Sequence, residues 1–177
     1  MRIFLIGPMG AGKTTVGGHL AAMLQHSFLD SDQIIEQQAA QSTTEIINTH
    51  GEQHFRSLEQ TVLQHNSLLP NIVLATGGGS ILSRETRDLL PARGVICYLK
   101  VSVHAQMQRL QNDATRALLP QHPHRLRFLQ DMQAKRDCLY EQIADIILDT
   151  DNHNPVTLAN KLVPLIDNVD TSKRYSY

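Results

Sequence analysis

The sequence predicts an α/β fold, a parallel sheet of buried strands with helices on both faces. Three observations carry that expectation. Short apolar runs alternate along the chain with segments whose apolar residues recur at helical spacing. The runs are nearly continuous rather than alternating, as strands covered on both faces are. The chain also has 177 residues, 41% hydrophobic and 19% charged, which fits one domain with a full core.

The elements follow in order. Arg2–Ile6 reads as a buried strand, and Thr14–Leu24 as a helix with Val16, Leu20, Met23 and Leu24 on one face. Phe28-Leu29 leads into Asp30-Ser31-Asp32, a short strand ending in carboxylates. Gln33–Ala40 and Thr44–His50 are expected helices, the second capped by Thr43 or Thr44. Glu52–His65 is a helix with Phe55, Leu58 and Val62 on its apolar face. Asn71–Ala75 is a strand that runs into Thr76-Gly77-Gly78-Gly79. Ser83–Leu90 is a helix stopped by Pro91, Val95–Leu99 a strand, and Val103–Gln111 a helix. Residues 112–123 hold two prolines and read as a mobile loop, followed by a long helix, His124–Ile143. Asp145–Leu148 is the last strand. Asn154-Pro155 starts a helix that runs to about Asn168, with Asn as cap and Pro in the first turn. One domain over residues 1–168 is expected, then a polar tail at 169–177.

Composition excludes several classes. The net charge of −1 leaves no whole-chain basic field for nucleic acid. Cys97 and Cys138 stand 41 positions apart without a C-x-x-C, so a disulfide framework or zinc ribbon is excluded and a reducing cytoplasm is expected. The nine histidines form no H-E-x-x-H. Gly7 and Pro8 break the first apolar run, so it does not read as a signal peptide. The uncharged stretch Gln60–Ser83 contains Pro70 and three glycines and does not read as a membrane span.

Gly7-Pro8-Met9-Gly10-Ala11-Gly12-Lys13-Thr14 matches G-x-x-x-x-G-K-[ST] between an expected strand and an expected helix. The glycines let backbone N–H groups turn toward a polyphosphate, and the helix offers its positive end to the same anion. Lys13 reaches the β- and γ-phosphates, and the Thr14 hydroxyl is a magnesium ligand. A GTPase would carry N-K-x-D, but Asn160-Lys161 is followed by Leu162-Val163. Ile146-Ile147-Leu148-Asp149 has the look of an ATPase metal strand, though it reads more simply as the last strand of the sheet.

Ligands in such sheets sit beyond the carboxyl ends of the strands, where Gly7–Thr14, Asp30–Asp32 and Thr76–Gly79 all fall. Strand alternation would put Asp30 and Asp32 on one side, able to hold a metal's water shell or an acceptor hydroxyl. Ser31 or Asp32 could equally cap the next helix. Arg136 shares a helical stripe with Leu129, Met132, Leu139 and Tyr140, so its cation must find an anion, whether an internal acid or a ligand. Arg56 could point into the same cavity, and two arginines there would grip a small carboxylate. The triple glycine adds N–H groups and room for close approach. Arg109–Arg136 carries six basic residues against two acidic ones, with Arg116 in the expected loop, where a closing cation would shield the transferring phosphoryl group.

Taken together these residues resemble the shikimate kinases over nearly the full length, roughly Arg2 to Ile166. The resemblance rests on an ordered set: G-P-M-G-A-G-K-T-T, F-L-D-S-D-Q, Phe55-Arg56, L-A-T-G-G-G at Leu74–Gly79, Arg116 followed by Leu118-Leu119, and R-x-x-x-Y at Arg136–Tyr140. It implies a three-layer α/β/α P-loop fold with five parallel strands in the order 2-3-1-4-5, and transfer of the ATP γ-phosphoryl group to the 3-hydroxyl of shikimate. It places ATP against Gly10, Ala11, Gly12, Lys13, Thr14 and Thr15, with Arg109, Arg116 and Pro155 beyond them. Shikimate would be held by Asp32, Arg56, Gly78, Gly79 and Arg136. Lys13, Asp32 and Arg116 would carry the chemistry, Asp32 orienting the hydroxyl or taking its proton. Thr14 and, through water, Asp30 would hold Mg2+. A cytoplasmic monomer with small-molecule substrates and no nucleic-acid or membrane partner is expected. Two positions depart from the family pattern: Arg116-Ala117 stands where Arg-Pro is usual, and Asp137-Cys138 where Asn-Pro is frequent. Other readings are a P-loop kinase for another hydroxy acid such as gluconate, or a nucleotide-binding regulatory module.

Overall fold

The computed structural model describes residues 1–111 and 124–169. Five parallel strands lie in the order β2-β3-β1-β4-β5: β1 Arg2–Ile6, β2 Ser27–Asp30, β3 Ile72–Ala75, β4 Val95–Lys100 and β5 Ile146–Asp149. Eight α-helices are described: α1 Lys13–Leu24, α2 Ser31–Ala39, α3 Thr43–His50, α4 Glu52–Asn66, α5 Arg84–Leu89, α6 Val103–Arg109, α7 Arg125–Ile143 and α8 Pro155–Asn168. A 3₁₀ turn, Ser80–Leu82, follows the triple glycine. The expected fold class and strand order both hold.

Alternation along the central strands builds two cores. Ile3 and Leu5 of β1 join Val73, Cys97 and Leu99 on one face, under Val16 and Leu20 of α1 and Leu158 and Leu162 of α8. Phe4 and Ile6 face the other way with Leu74, Ile96 and Tyr98, under Leu63 of α4, Ile81 and Tyr140 of α7. A third cluster, Ile35, Ile46, Phe55 and Val62, ties α2, α3 and α4 together at the β2 side. That triad of helices forms one wall of the cleft described below.

Helix boundaries differ from expectation where capping decides them. β2 stops at Asp30, and its carboxylate accepts the N–H groups of Asp32 (3.0 Å) and Gln33 (3.4 Å), so Asp30 is the α2 cap. Asp32 therefore stands on the first helical turn, and the strand alternation expected to pair it with Asp30 does not apply. Ser42 caps α3 through a capping box with Glu45, where Thr43 or Thr44 was expected. Asn154 caps α8 with Pro155 in its first turn, as expected. Asp149 ends β5, the last strand of the sheet, and accepts the Asp151 N–H at 2.7 Å in the turn that follows. No helix among the described residues is long and apolar enough to cross a membrane. The expected lid at 112–123, with Arg116, and residues 170–177 of the tail lie outside the described residues.

Candidate active site

The β1–α1 loop sets the phosphate side. Gly12 caps α1 in the left-handed region (φ 89°), a conformation that favours glycine. The first N–H groups of a helix lack partners within it and carry partial positive charge. Gly10, Gly12, Lys13, Thr14 and Thr15 line one cleft with Asp30, Asp32, Thr76, Gly78 and Arg109. Ala11 is buried beneath it and donates its N–H to Pro8 O at 3.3 Å. The Lys13 ammonium arches back over the loop onto the carbonyls of Gly7 (2.7 Å) and Pro8 (2.9 Å). Helix α6 braces the loop from behind: Gln106, itself buried, donates to Met9 O (2.8 Å), and Arg109 donates to Gly10 O (3.0 Å). Arg109 also holds Thr150 through its hydroxyl (3.0 Å) and its carbonyl (2.6 Å). Pro155 opens α8 beyond that turn and lines neither of the two clefts described here.

Thr14 and Asp30 meet directly, hydroxyl to carboxylate, at 2.7 Å. A hydroxyl beside a carboxylate is a hard-oxygen pair of the kind magnesium accepts when phosphates supply its other ligands. The residues present therefore fit such an ion. No group of three His, Cys, Asp or Glu suited to a metal occurs among the described residues, so any ion here relies on few protein ligands.

A second cleft adjoins the first. Asp32, Arg56, Glu59, Gly77, Gly78, Gly79 and Arg136 line it, with Phe55, Ile47 and Met132 as apolar walls. Met9, Asp32 and Gly78 border both clefts, so the two share one partition. The sheet explains the adjacency. β1 pairs with β3 through Leu5 and Ala75, and Thr76 N–H continues onto Leu5 O at 3.0 Å, so the phosphate loop and the glycine run leave neighbouring strands side by side. A Cβ on Gly78 would stand 3.3 Å from Met9 N and 3.4 Å from Gly7 O.

The two arginines reach this cleft from different helices and are held differently. Arg56 of α4 pairs with Glu52 (2.9 Å) and Glu59 (2.8 Å). Arg136 of α7 is buried, yet no carboxylate lies within ion-pair distance of it among the described residues. Its Nη1 donates to Gly78 O at 3.2 Å. Burial pulls the Arg136 guanidinium pKa below its ordinary value, and Arg56 opposes its charge as well. The glycine run, expected to offer N–H groups, is already engaged on both edges. Gly77 N–H goes to Ser31 Oγ (2.9 Å), and Gly78 O takes Arg136 and Tyr140. Asp137 does not compete for Arg136; it accepts the Tyr98 hydroxyl at 2.9 Å.

Glu59 is the cleft residue that sequence reasoning passed over. It is 2% exposed, with Oε2 on Arg56 and Oε1 without a hydrogen-bond partner. Burial pushes its carboxyl up to about 6 against the pull of Arg56, and Asp32 adds to the rise. The signal was present: Phe55, Glu59 and Val62 share the α4 stripe just as Arg136 shares its own.

A glycine-rich loop opening onto a helix N-terminus, a neighbouring hydroxyl–carboxylate pair and an adjoining cleft with two arginines and two acids, all on a five-stranded parallel sheet, have the arrangement of a P-loop kinase of small molecules. The model of the shikimate kinase family matches residues 9–167. A shikimate kinase of Haemophilus influenzae is 44% identical over 168 residues, 95% of this chain and 93% of that one. The structure of the Acinetobacter baumannii shikimate kinase in complex with shikimate superposes with a TM-score of 0.90 at 41% identity, covering 93% of this chain and 92% of that one. A gluconokinase from Sinorhizobium meliloti reaches a TM-score of 0.59 at 15% identity, a likeness of fold alone. The chain belongs to the shikimate kinase family, whose members are ATP-dependent kinases acting on an alcohol acceptor, and a metal cofactor is expected of it.

Proposed function

We propose that the protein transfers the γ-phosphoryl group of ATP to the 3-hydroxyl of shikimate, giving shikimate 3-phosphate and ADP. The observation that carries this reading is the shared partition. A cleft holding two arginines and the acids Asp32 and Glu59 meets the phosphate cleft at Asp32 and Gly78, so a carboxylated alcohol and a triphosphate can lie end to end.

In this reading Arg56 and Arg136 take the acceptor's carboxylate, and Gly78 and Gly79 leave room for its ring. Asp32 bonds the acceptor hydroxyls, orients the attacking oxygen and receives its proton as the new O–P bond forms and the bond from the γ-phosphorus to the β-bridging oxygen breaks. Lys13 exchanges its carbonyl partners for phosphate oxygens and offsets the charge that builds on the leaving group. Gly10, Ala11, Gly12 and Thr15 cradle the phosphates and Arg109 and Pro155 flank the base; Arg116, in the expected lid at 112–123 outside the described residues, would add its charge to the transferring phosphoryl group within a single domain over residues 1–168. Thr14 directly and Asp30 through water would hold Mg2+, which when bound neutralises phosphate charge. The protein works as a cytoplasmic monomer on small molecules, without nucleic-acid or membrane partners; its two free cysteines suit a reducing compartment.

A coupled ADP-release assay with ATP, magnesium and a panel of acceptors tests the reading. Turnover is expected with shikimate and not with gluconate, neutral polyols or nucleoside monophosphates. Turnover with gluconate and none with shikimate would overturn it.

A further inference from the structure

The acceptor site described above uses Arg136 but not Tyr140, the other end of the R-x-x-x-Y motif. Tyr140 is 1% exposed, and its ring stacks on Tyr98 with centroids 4.8 Å apart. Its hydroxyl donates to Gly78 O at 2.5 Å, the same oxygen that Arg136 Nη1 reaches at 3.2 Å. Burial raises the phenol pKa well above its ordinary value, so the hydroxyl remains a donor at any working pH.

Two consequences follow from that single bond. A peptide unit is planar and trans, so the Gly78 carbonyl and the Gly79 N–H point in opposite directions. Drawing the carbonyl onto α7 turns the Gly79 N–H away from α7. The Arg56 guanidinium already packs close against Gly79. Gly78 O also has two donors where one suffices. If Arg136 swings to a ligand carboxylate, a carbonyl without Tyr140 would be left unpaired at the half-buried wall of the cleft, a loss of the order of one hydrogen bond. With Tyr140 in place Arg136 leaves at little cost.

We propose that Tyr140 is a positioning residue for the acceptor: its hydroxyl fixes the Gly78–Gly79 peptide plane and keeps the Gly78 carbonyl paired while Arg136 turns to the acceptor's carboxylate. This rests on the shikimate reading given above, and it adds a residue that touches neither substrate.

Tyr140→Phe tests it, because the ring and its stack on Tyr98 stay while the hydroxyl goes. The expected result is an acceptor KM and Kd raised about tenfold, the scale of one buried hydrogen bond, with ATP KM within about twofold of wild type. The Gly79 amide resonance should move in the free variant and respond less to added shikimate. An unchanged acceptor KM beside an active wild type overturns this inference alone. Acceptor and ATP KM rising together, with a lowered Tm, also overturn it, since that marks a general packing role. A wild type inactive on shikimate overturns the functional reading and this inference with it.

Discussion

Replacing Glu59 with glutamine tests the electrostatics of the acceptor cleft. The wild-type carboxyl is buried and pushed up from 4.5 to about 6. At 1.36 kcal/mol for each pH unit, that gap corresponds to about 2 kcal/mol. The direction follows from linkage. Between pH 4.5 and about 6 the native state holds a proton that the unfolded chain has released, so stability falls as pH rises through that window and is flat above it. Glutamine keeps the shape and an acceptor oxygen for Arg56 but does not titrate. Urea unfolding of both proteins from pH 4 to pH 8 supplies the difference curve. Wild type should lose about 2 kcal/mol relative to Glu59→Gln between pH 4 and pH 8, most of it between 4.5 and 6.5. Parallel curves would refute the argument that burial outweighs the Arg56 ion pair at this carboxylate.

Three further outcomes are expected. Arg136→Ala should weaken acceptor binding by about 2–5 kcal/mol, the range for truncating a buried charged partner, with ATP affinity little changed; calorimetric titration with each substrate checks it. Gly79→Ala has a backbone that alanine tolerates (φ −97°), but its Cβ would overlap the Arg56 guanidinium, so Tm should hold while acceptor KM rises about tenfold. Thr14→Val removes the hydroxyl that bonds Asp30; the magnesium concentration for half-maximal rate should rise about tenfold or more, and an unchanged magnesium curve would remove Thr14 from the metal site.

Much of this was legible in the residues, for identifiable reasons. The strand-and-helix alternation is a one-dimensional pattern, and so are the glycine spacing before Lys13 and the charge of Arg136 on an apolar stripe. Asp30 and Asp32 mislead because an Asx cap ends β2 two residues earlier than the carboxylate pair suggests. The glycine run was read for its N–H groups, while the observed contacts engage the Gly78 carbonyl. Which edge of a peptide faces a ligand depends on the residues bonded to the other edge, here Tyr140 and Arg136, which lie about sixty positions away. Glu59 escaped although its helical position mirrors that of Arg136. An acid on an amphipathic face attracts less notice when a basic neighbour such as Arg56 stands three residues before it.

The register of β1 against β3 fixes how far apart donor and acceptor can sit. Gly78 abuts Met9 and Gly7 backbone to backbone, so on the proposed reading the wall between the two clefts is set by sheet geometry, while Asp32 and the arginines place the acceptor against it. Ile47 of α3, which lines the acceptor cleft and not the phosphate cleft, can then be altered to fit a different alcohol without touching that wall. In this architecture part of the acceptor's fit can change while the wall it rests on stays in place.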